Sequence, residues 1–139
     1  MKKENSFEQY KNSIDKILSS IAKTNLNKSI MLINKTVKRK GKVYIAGNGG
    51  SSSIASHVSV DFAKVAKVPS STFNNANLIT CFANDFGYEN WVTEAIKSYT
   101  NKNDMMILIS SSGTSKNIVN AAKFCKKNSI DLITLSGFK

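Results

Sequence analysis

Apolar residues recur along this chain at two different spacings, and each change of spacing marks a new element. From residue 4 to 22, Phe7, Tyr10, Ile14, Ile17, Leu18 and Ile21 fall mostly three or four apart, which predicts an amphipathic helix. Leu26, Ile30, Ile33 and Val37 repeat the stripe, and Lys38-Arg39-Lys40-Gly41 supplies a basic last turn and a glycine stop. Then the pattern changes. Val43–Ala46 is a short unbroken apolar run, the mark of a buried strand. Helical spacing returns from about Ser51 to Ala66, with Ile54, Ala55, Val58, Phe62 and Val65 on the apolar side. Val68–Phe73 predicts a short second strand with a proline at its start. Leu78–Phe86 and Glu89–Tyr99 are helical, and Met105–Ile109 is a third strand. Ser115–Lys127 predicts a helix burying Ile118, Val119, Ala122 and Cys125 or Phe124, and Ile130–Leu135 is a fourth strand. Strands alternating with helices predict an α/β fold with a parallel sheet and right-handed crossovers.

The two leading helices crowd so small a sheet, so at least one is expected at a subunit interface. This divides the chain into the helices of residues 1–40 and an α/β domain over 41–139.

Composition narrows the function without naming it. The chain carries 20 basic and 9 acidic residues in 139, a net charge of +11. The excess is uneven, since residues 1–40 hold 10 basic and 3 acidic residues. Such a balance suits anionic partners. The basic residues are almost all lysine, however, and no aromatic-plus-basic motif accompanies them, so a nucleic-acid module is not expected. Cys81 and Cys125 lie too far apart for a zinc motif, and both are expected to be reduced and buried. The first ten residues lack the apolar core of a signal peptide, and no run is long enough to span a bilayer. A cytoplasmic protein is expected.

Two loops carry the candidate chemistry. The strand at Val43 enters Gly47-Asn48-Gly49-Gly50-Ser51, and a helix follows. Glycine admits positive φ and close approach of a ligand to the main chain. A helix start offers unpaired N–H groups and a positive dipole end, which together favour phosphate. The spacing is neither the dinucleotide fingerprint nor a P-loop. The strand at Met105 enters Ser110-Ser111-Ser112-Gly113-Thr114-Ser115 in the same way. In a parallel sheet both loops lie at the carboxyl ends of the strands, where open α/β sheets bind ligands. The plainer alternative makes these serines helix caps and turn formers. His57, the only histidine, and Asp61 stand one helical turn apart on the flank of the apolar side. Such a pair can bind a divalent metal, transfer a proton, or merely hydrogen-bond on a surface. Asp85 either faces the cleft or caps the next helix.

Together these motifs resemble the SIS family of sugar-phosphate isomerase domains, and within it the phosphoheptose isomerases. The resemblance rests on A-G-N-G-G-S at 46–51, A-S-H-V-S-V-D at 55–61, L-I-T-C-F-A-N-D-F-G-Y-E at 78–89 and I-S-S-S-G-T-S at 109–115. It implies a three-layer αβα sandwich around a parallel, flavodoxin-like sheet. It also implies conversion of sedoheptulose 7-phosphate to D-glycero-D-manno-heptose 7-phosphate through an enediol, for the heptose of surface polysaccharide. Asn48, Gly49, Gly50 and Ser51 would hold the sugar phosphate and hydroxyls. Ser110, Ser111, Ser112 and Ser115 would form the main phosphate pocket, and Asn84 and Asp85 would contact the sugar chain. His57 would be a zinc ligand, and Asp61 a second ligand and the general base. A homotetramer with sites completed by neighbouring subunits is implied as well.

Two departures from the family stand out. Asp61 replaces a glutamate, which leaves its carboxylate about 1.5 Å short on the same backbone. The family continues past the fourth strand, with a glutamine and a second histidine there; this sequence stops at Lys139. The resemblance therefore implies truncation, with at most two zinc ligands per subunit. The rival expectation is a non-catalytic sugar-phosphate-binding or regulatory SIS protein, of the kind that assists a replication initiator.

Overall fold

The computed structural model describes residues 6–137, so residues 4 and 5 of the first predicted helix and Phe138 and Lys139 of the predicted domain lie outside the described residues. The chain divides into two compact units, with the boundary in sequence between Met31 and Leu32. The first holds α1 (Ser6–Ser20) and the opening turns of α2 (Lys23–Lys38). α1 buries none of its residues, and Tyr10, Ile17 and Leu18 of its predicted stripe are exposed.

The second unit contains the sheet. Its strands are β1 (Val43–Gly47), β2 (Ser70–Thr72), β3 (Met105–Ser110) and β4 (Asp131–Ser136), all parallel, in the order β2-β1-β3-β4. Between them run α3 (Gly50–Lys64), α4 (Ala76–Phe86), α5 (Trp91–Tyr99) and α6 (Lys116–Lys127). β1 and β3 are buried along their whole length, which is why they read as unbroken apolar runs rather than alternating ones. Alternation survives in where the side chains go. Tyr44, Ala46, Met106 and Leu108 pack with Trp91, Ile96 and other residues of α4, α5 and α6. Val43, Ile45, Met105, Ile107 and Ile109 pack against Ala55, Val58 and Phe62 of α3 and against Leu32 and Ile33 of α2. The result is the expected αβα sandwich.

The amino ends of the strands are bound by charge. Arg39, at the end of α2, donates to the Asn103 carbonyl at 2.6 Å, the Asp104 carbonyl at 3.0 Å and Asp131 Oδ2 at 2.8 Å. Lys35 adds an ion pair to Asp131 at 2.9 Å. The Asp104 carboxylate is buried and accepts from the backbone N–H groups of Lys42 at 2.7 Å and Asn101 at 2.8 Å.

Two expectations need correction. Cys81 is exposed, because it lies on the outer flank of α4; only Cys125 is buried, and burial pushes its thiol up to about 11. Ile54 on α3 and Val65 just after its last residue are exposed, since the helix meets the sheet through the narrower line of Ala55, Val58 and Phe62. Among the described residues, no helix is long and apolar enough to cross a membrane.

Candidate active site

Both glycine-serine loops leave the carboxyl ends of neighbouring strands. From β1 the chain moves outward to β2 on one side, and from β3 to β4 on the other. The β1–β3 boundary is therefore the topological switch point, the place where open α/β sheets bind ligands.

The first loop is shaped by close approach. A Cβ on Gly47 would lie 2.7 Å from the Ser51 Cβ and 2.8 Å from its carbonyl carbon, so only glycine lets α3 start this close to β1. Gly49 has φ +51°, with open space around it, and precedes the helix as its N-cap without any side-chain bond. The second loop behaves likewise: Ser115 stands at the N-cap of α6 and its side chain makes no capping bond. By contrast, α4 is closed by Asn75, whose Oδ1 accepts from the N–H groups of Asn77 at 2.9 Å and Leu78 at 3.3 Å. No side chain caps either loop's helix start, although at α3 the N–H groups of Ser51 and Ser52 donate to the carbonyls of Asn48 at 2.9 Å and Gly49 at 3.0 Å. The positive dipole end at each start favours an anion.

Within the second loop, Ser110 Oγ donates to Ser115 Oγ at 3.3 Å, and Gly113 N–H closes a turn on the Ser110 carbonyl at 3.0 Å. Ser112 Oγ accepts from the Thr114 N–H at 3.2 Å, so this serine shapes the turn. The exposed Ser111 ties the loop to β4 through its carbonyl, which accepts from Gly137 N–H at 2.9 Å. A cavity of about 190 Å³ opens beside the loop, with Ser110, Gly113 and Ser136 in its wall.

The loops are joined by a pair of amides. Asn48 Nδ2 donates to Asn117 Oδ1 at 2.9 Å, and Asn117 Nδ2 donates back to Asn48 Oδ1 at 2.8 Å. Tyr88 Oη also donates to Asn48 Oδ1, at 3.3 Å. Asn117 is 2% exposed. Neither Asn117 nor Tyr88 stood among the predicted site residues. A signal for Asn117 was present: it is a polar residue one turn before Ala121 on the buried side of α6. Asn74, read only as part of a turn, supports α3 by donating to the Ser52 carbonyl and to Ser56 Oγ at 3.0 Å.

His57 and Asp61 do share one point, with Nε2 3.4 Å from Oδ2. Both are open to solvent, at 80% and 52% side-chain exposure, so the pair lies on an outer surface of α3. Its separation matches the edge of a tetrahedron of donors about 2.0–2.1 Å from a zinc ion, roughly 3.3 Å. The pair therefore fits two corners of such a site. Among the described residues no third histidine, cysteine or carboxylate joins them. Asn84 and Asp85 are exposed and bonded to each other, Nδ2 to Oδ1 at 2.9 Å. Cys81 Sγ lies 3.8 Å from Asp85 Oδ2, and Tyr88 links this segment to the first loop.

Comparison with known proteins agrees with this geometry. A family model described as SIS domain matches residues 9–137. The phosphoheptose isomerase of Helicobacter pylori strain P12 is 32% identical over 137 residues, which cover 94% of this chain and 71% of that protein. Phosphoheptose isomerase 2 of Campylobacter jejuni is 37% identical over 119 residues, 80% of this chain and 58% of that protein. Among solved structures, a phosphoheptose isomerase from Neisseria gonorrhoeae superposes with a TM-score of 0.83 at 21% identity, over 93% of this chain and 71% of that one. One from Francisella tularensis gives 0.80 at 20% identity, over 96% and 76%. The structural matches establish the fold, and the family model spans both loops and the helix between them. The chain belongs to the SIS domain family, among its phosphoheptose isomerases.

Proposed function

We propose that this chain serves an aldose–ketose isomerase that converts sedoheptulose 7-phosphate to D-glycero-D-manno-heptose 7-phosphate, in the cytoplasm, for surface-polysaccharide heptose. The observation that carries the proposal is the placing of His57 and Asp61, 3.4 Å apart, on α3, the helix that starts from the first glycine-serine loop. The phosphate binds against the starts of α3 and α6, with Ser51, Ser110, Ser111 and Ser115 around it and Gly49 and Gly50 giving access to the main chain. Binding at this remote group orients the carbonyl end. Asp61 takes a proton from the carbon beside the carbonyl, the electron pair shifts onto the carbonyl oxygen, and that oxygen takes the proton of the neighbouring hydroxyl, so the enediol forms as its enediolate. Return of the proton to the former carbonyl carbon completes the isomerisation, with no net change in oxidation state. Asn48 faces the sugar oxygens, and Asn84 and Asp85 hold the sugar chain. His57 and Asp61 would also hold two corners of a zinc ion. When bound, that ion supplies Lewis acidity to the substrate oxygen.

A homo-oligomer, with a tetramer as the family-like form, completes the site. Two observations support this: the exposed stripe of α1, and a His57–Asp61 pair that no third histidine, cysteine or carboxylate joins among the described residues. The same shortage of donors favours a rival, a phosphosugar-binding protein without catalysis.

One experiment separates them. Asp61→Ala is expected to lower turnover of sedoheptulose 7-phosphate about 10²–10⁴-fold while phosphosugar binding and melting temperature hold. Equal turnover in wild type and variant, or none in either with zinc supplied, removes the isomerase proposal. Sedimentation of the same sample at the mass of a single 15.2 kDa chain removes the oligomer.

A further inference from the structure

We propose that Asn117 is a positioning residue that locks the Asn48 amide so that it offers the bound phosphosugar a hydrogen-bond donor and no acceptor. The inference rests on the phosphosugar site proposed above. An asparagine side chain has two N–H donors and two acceptor lone pairs. At Asn48 three of these four are spent inside the protein. Oδ1 accepts from Asn117 Nδ2 at 2.8 Å and from Tyr88 Oη at 3.3 Å, and Nδ2 donates to Asn117 Oδ1 at 2.9 Å. One Nδ2–H remains.

The pairing is stiff as well as complete. Asn117 is 2% exposed, so water does not compete for its amide. Its backbone lies in the first turn of α6, and Asn48 follows β1, so the reciprocal pair bolts the two loops across the switch point. Electrostatics sets the sense of the pair. Both loops present helix starts, whose partial positive charge attracts an anion. An outward amide oxygen at that place would repel the anion; an outward N–H adds to the attraction. The remaining donor therefore selects an acceptor atom on the ligand, such as a phosphate oxygen or an oxygen on which negative charge develops as the enediol forms. Asn117 itself, buried behind Asn48, acts through it.

The test is a double-mutant cycle on Asn48→Ala, Asn117→Ala and the double variant, with Asn117→Asp as an isosteric fourth. Asp at 117 still accepts from Asn48 Nδ2 and no longer donates to Oδ1. Affinity for sedoheptulose 7-phosphate and for inorganic phosphate is measured by calorimetry, kcat and KM by coupled assay, and folding by thermal melt. Asn117→Ala and Asn117→Asp are each expected to weaken phosphosugar binding or kcat about tenfold, and the double variant to lose no more than Asn48→Ala alone. If Asn117→Ala fails to fold, Asn117→Asp carries the test. Positioning is overturned if the Asn117 variants lower only the melting temperature. It is overturned too if the losses simply add, or if wild type binds neither probe. Wild type that binds phosphosugar in an Asn117-dependent way, yet turns none over, sinks the isomerase proposal and leaves this one standing.

Discussion

The two ends of one sheet are finished in opposite ways. At the amino ends of β1, β3 and β4, polar groups are charged and consumed. Arg39 spends its guanidinium on two carbonyls and a carboxylate, and Asp104 spends both carboxylate oxygens on backbone N–H groups. At the carboxyl ends the groups that bond within and between the loops are neutral hydroxyls and amides, and no side chain caps the helix starts. A buried group with every partner present holds elements together and has nothing left for a ligand. A group left with an open donor does the reverse. The difference assigns stability to one end and binding to the other, and variants at each end should separate the two properties.

The largest effect on folding is expected from Arg39→Ala. It leaves Asp131 with Lys35 alone and strips donors from the carbonyls of Asn103 and Asp104. Losing one partner of a partly buried, multiply bonded ion pair costs about 2–3 kcal/mol, roughly a 10 °C fall in melting temperature for a chain of this size. Phosphosugar affinity of the folded fraction should stay within twofold. A tenfold loss of affinity would erase the division between the ends.

A smaller effect is expected at the other end, and it should be mirrored. Ser115→Ala removes a hydroxyl that caps no N–H and accepts only a long bond from Ser110 Oγ at 3.3 Å, so stability should fall by about 0.5 kcal/mol while phosphate affinity falls about three- to tenfold. Asn75→Ala removes a working cap and should cost about 1 kcal/mol of stability with affinity intact. Calorimetry and thermal melts on the two proteins decide it. If Ser115→Ala destabilises as much as Asn75→Ala, the start of α6 is an ordinary helix end.

How much of this was legible follows from the range of each interaction. The βα rhythm, the loops and the His57–Asp61 pair depend on neighbours a few residues apart, and all were readable. Arg39 was readable only as a helix terminus, because its partners Asn103 and Asp131 lie 64 and 92 residues away. The Asn48–Asn117 pair spans 69 residues, and no local period reports such a contact. Exposure misled where a stripe was read as wholly buried. Ile54 and Val65 sit at the margins of the apolar side of α3, and periodicity does not say how wide a contact the sheet offers. Cys81 was misplaced for the same reason on α4.

The smallest expected effect is a titration of the charged end. Burial raises the pKa of Asp131, but hydrogen bonds and charge from Lys35 and Arg39 outweigh it and leave the group below its ordinary value. A carboxylate with a lowered folded pKa adds stability at pH values above the unfolded pKa, about 3.9. That contribution fades as pH falls through the folded value. Many carboxylates titrate in acid, so the informative quantity is the stability difference between wild type and Asp131→Asn. The variant keeps the shape and removes the charge. The difference should be constant, at about 1 kcal/mol or less, from pH 7 to 5, and should shrink below pH 4. Denaturant melts at four or five pH values measure it. A difference that stays flat into acid would mean that the clamp holds by hydrogen bonding and shape alone. The contrast between the two ends would then be one of spent against unspent partners, with charge incidental to it.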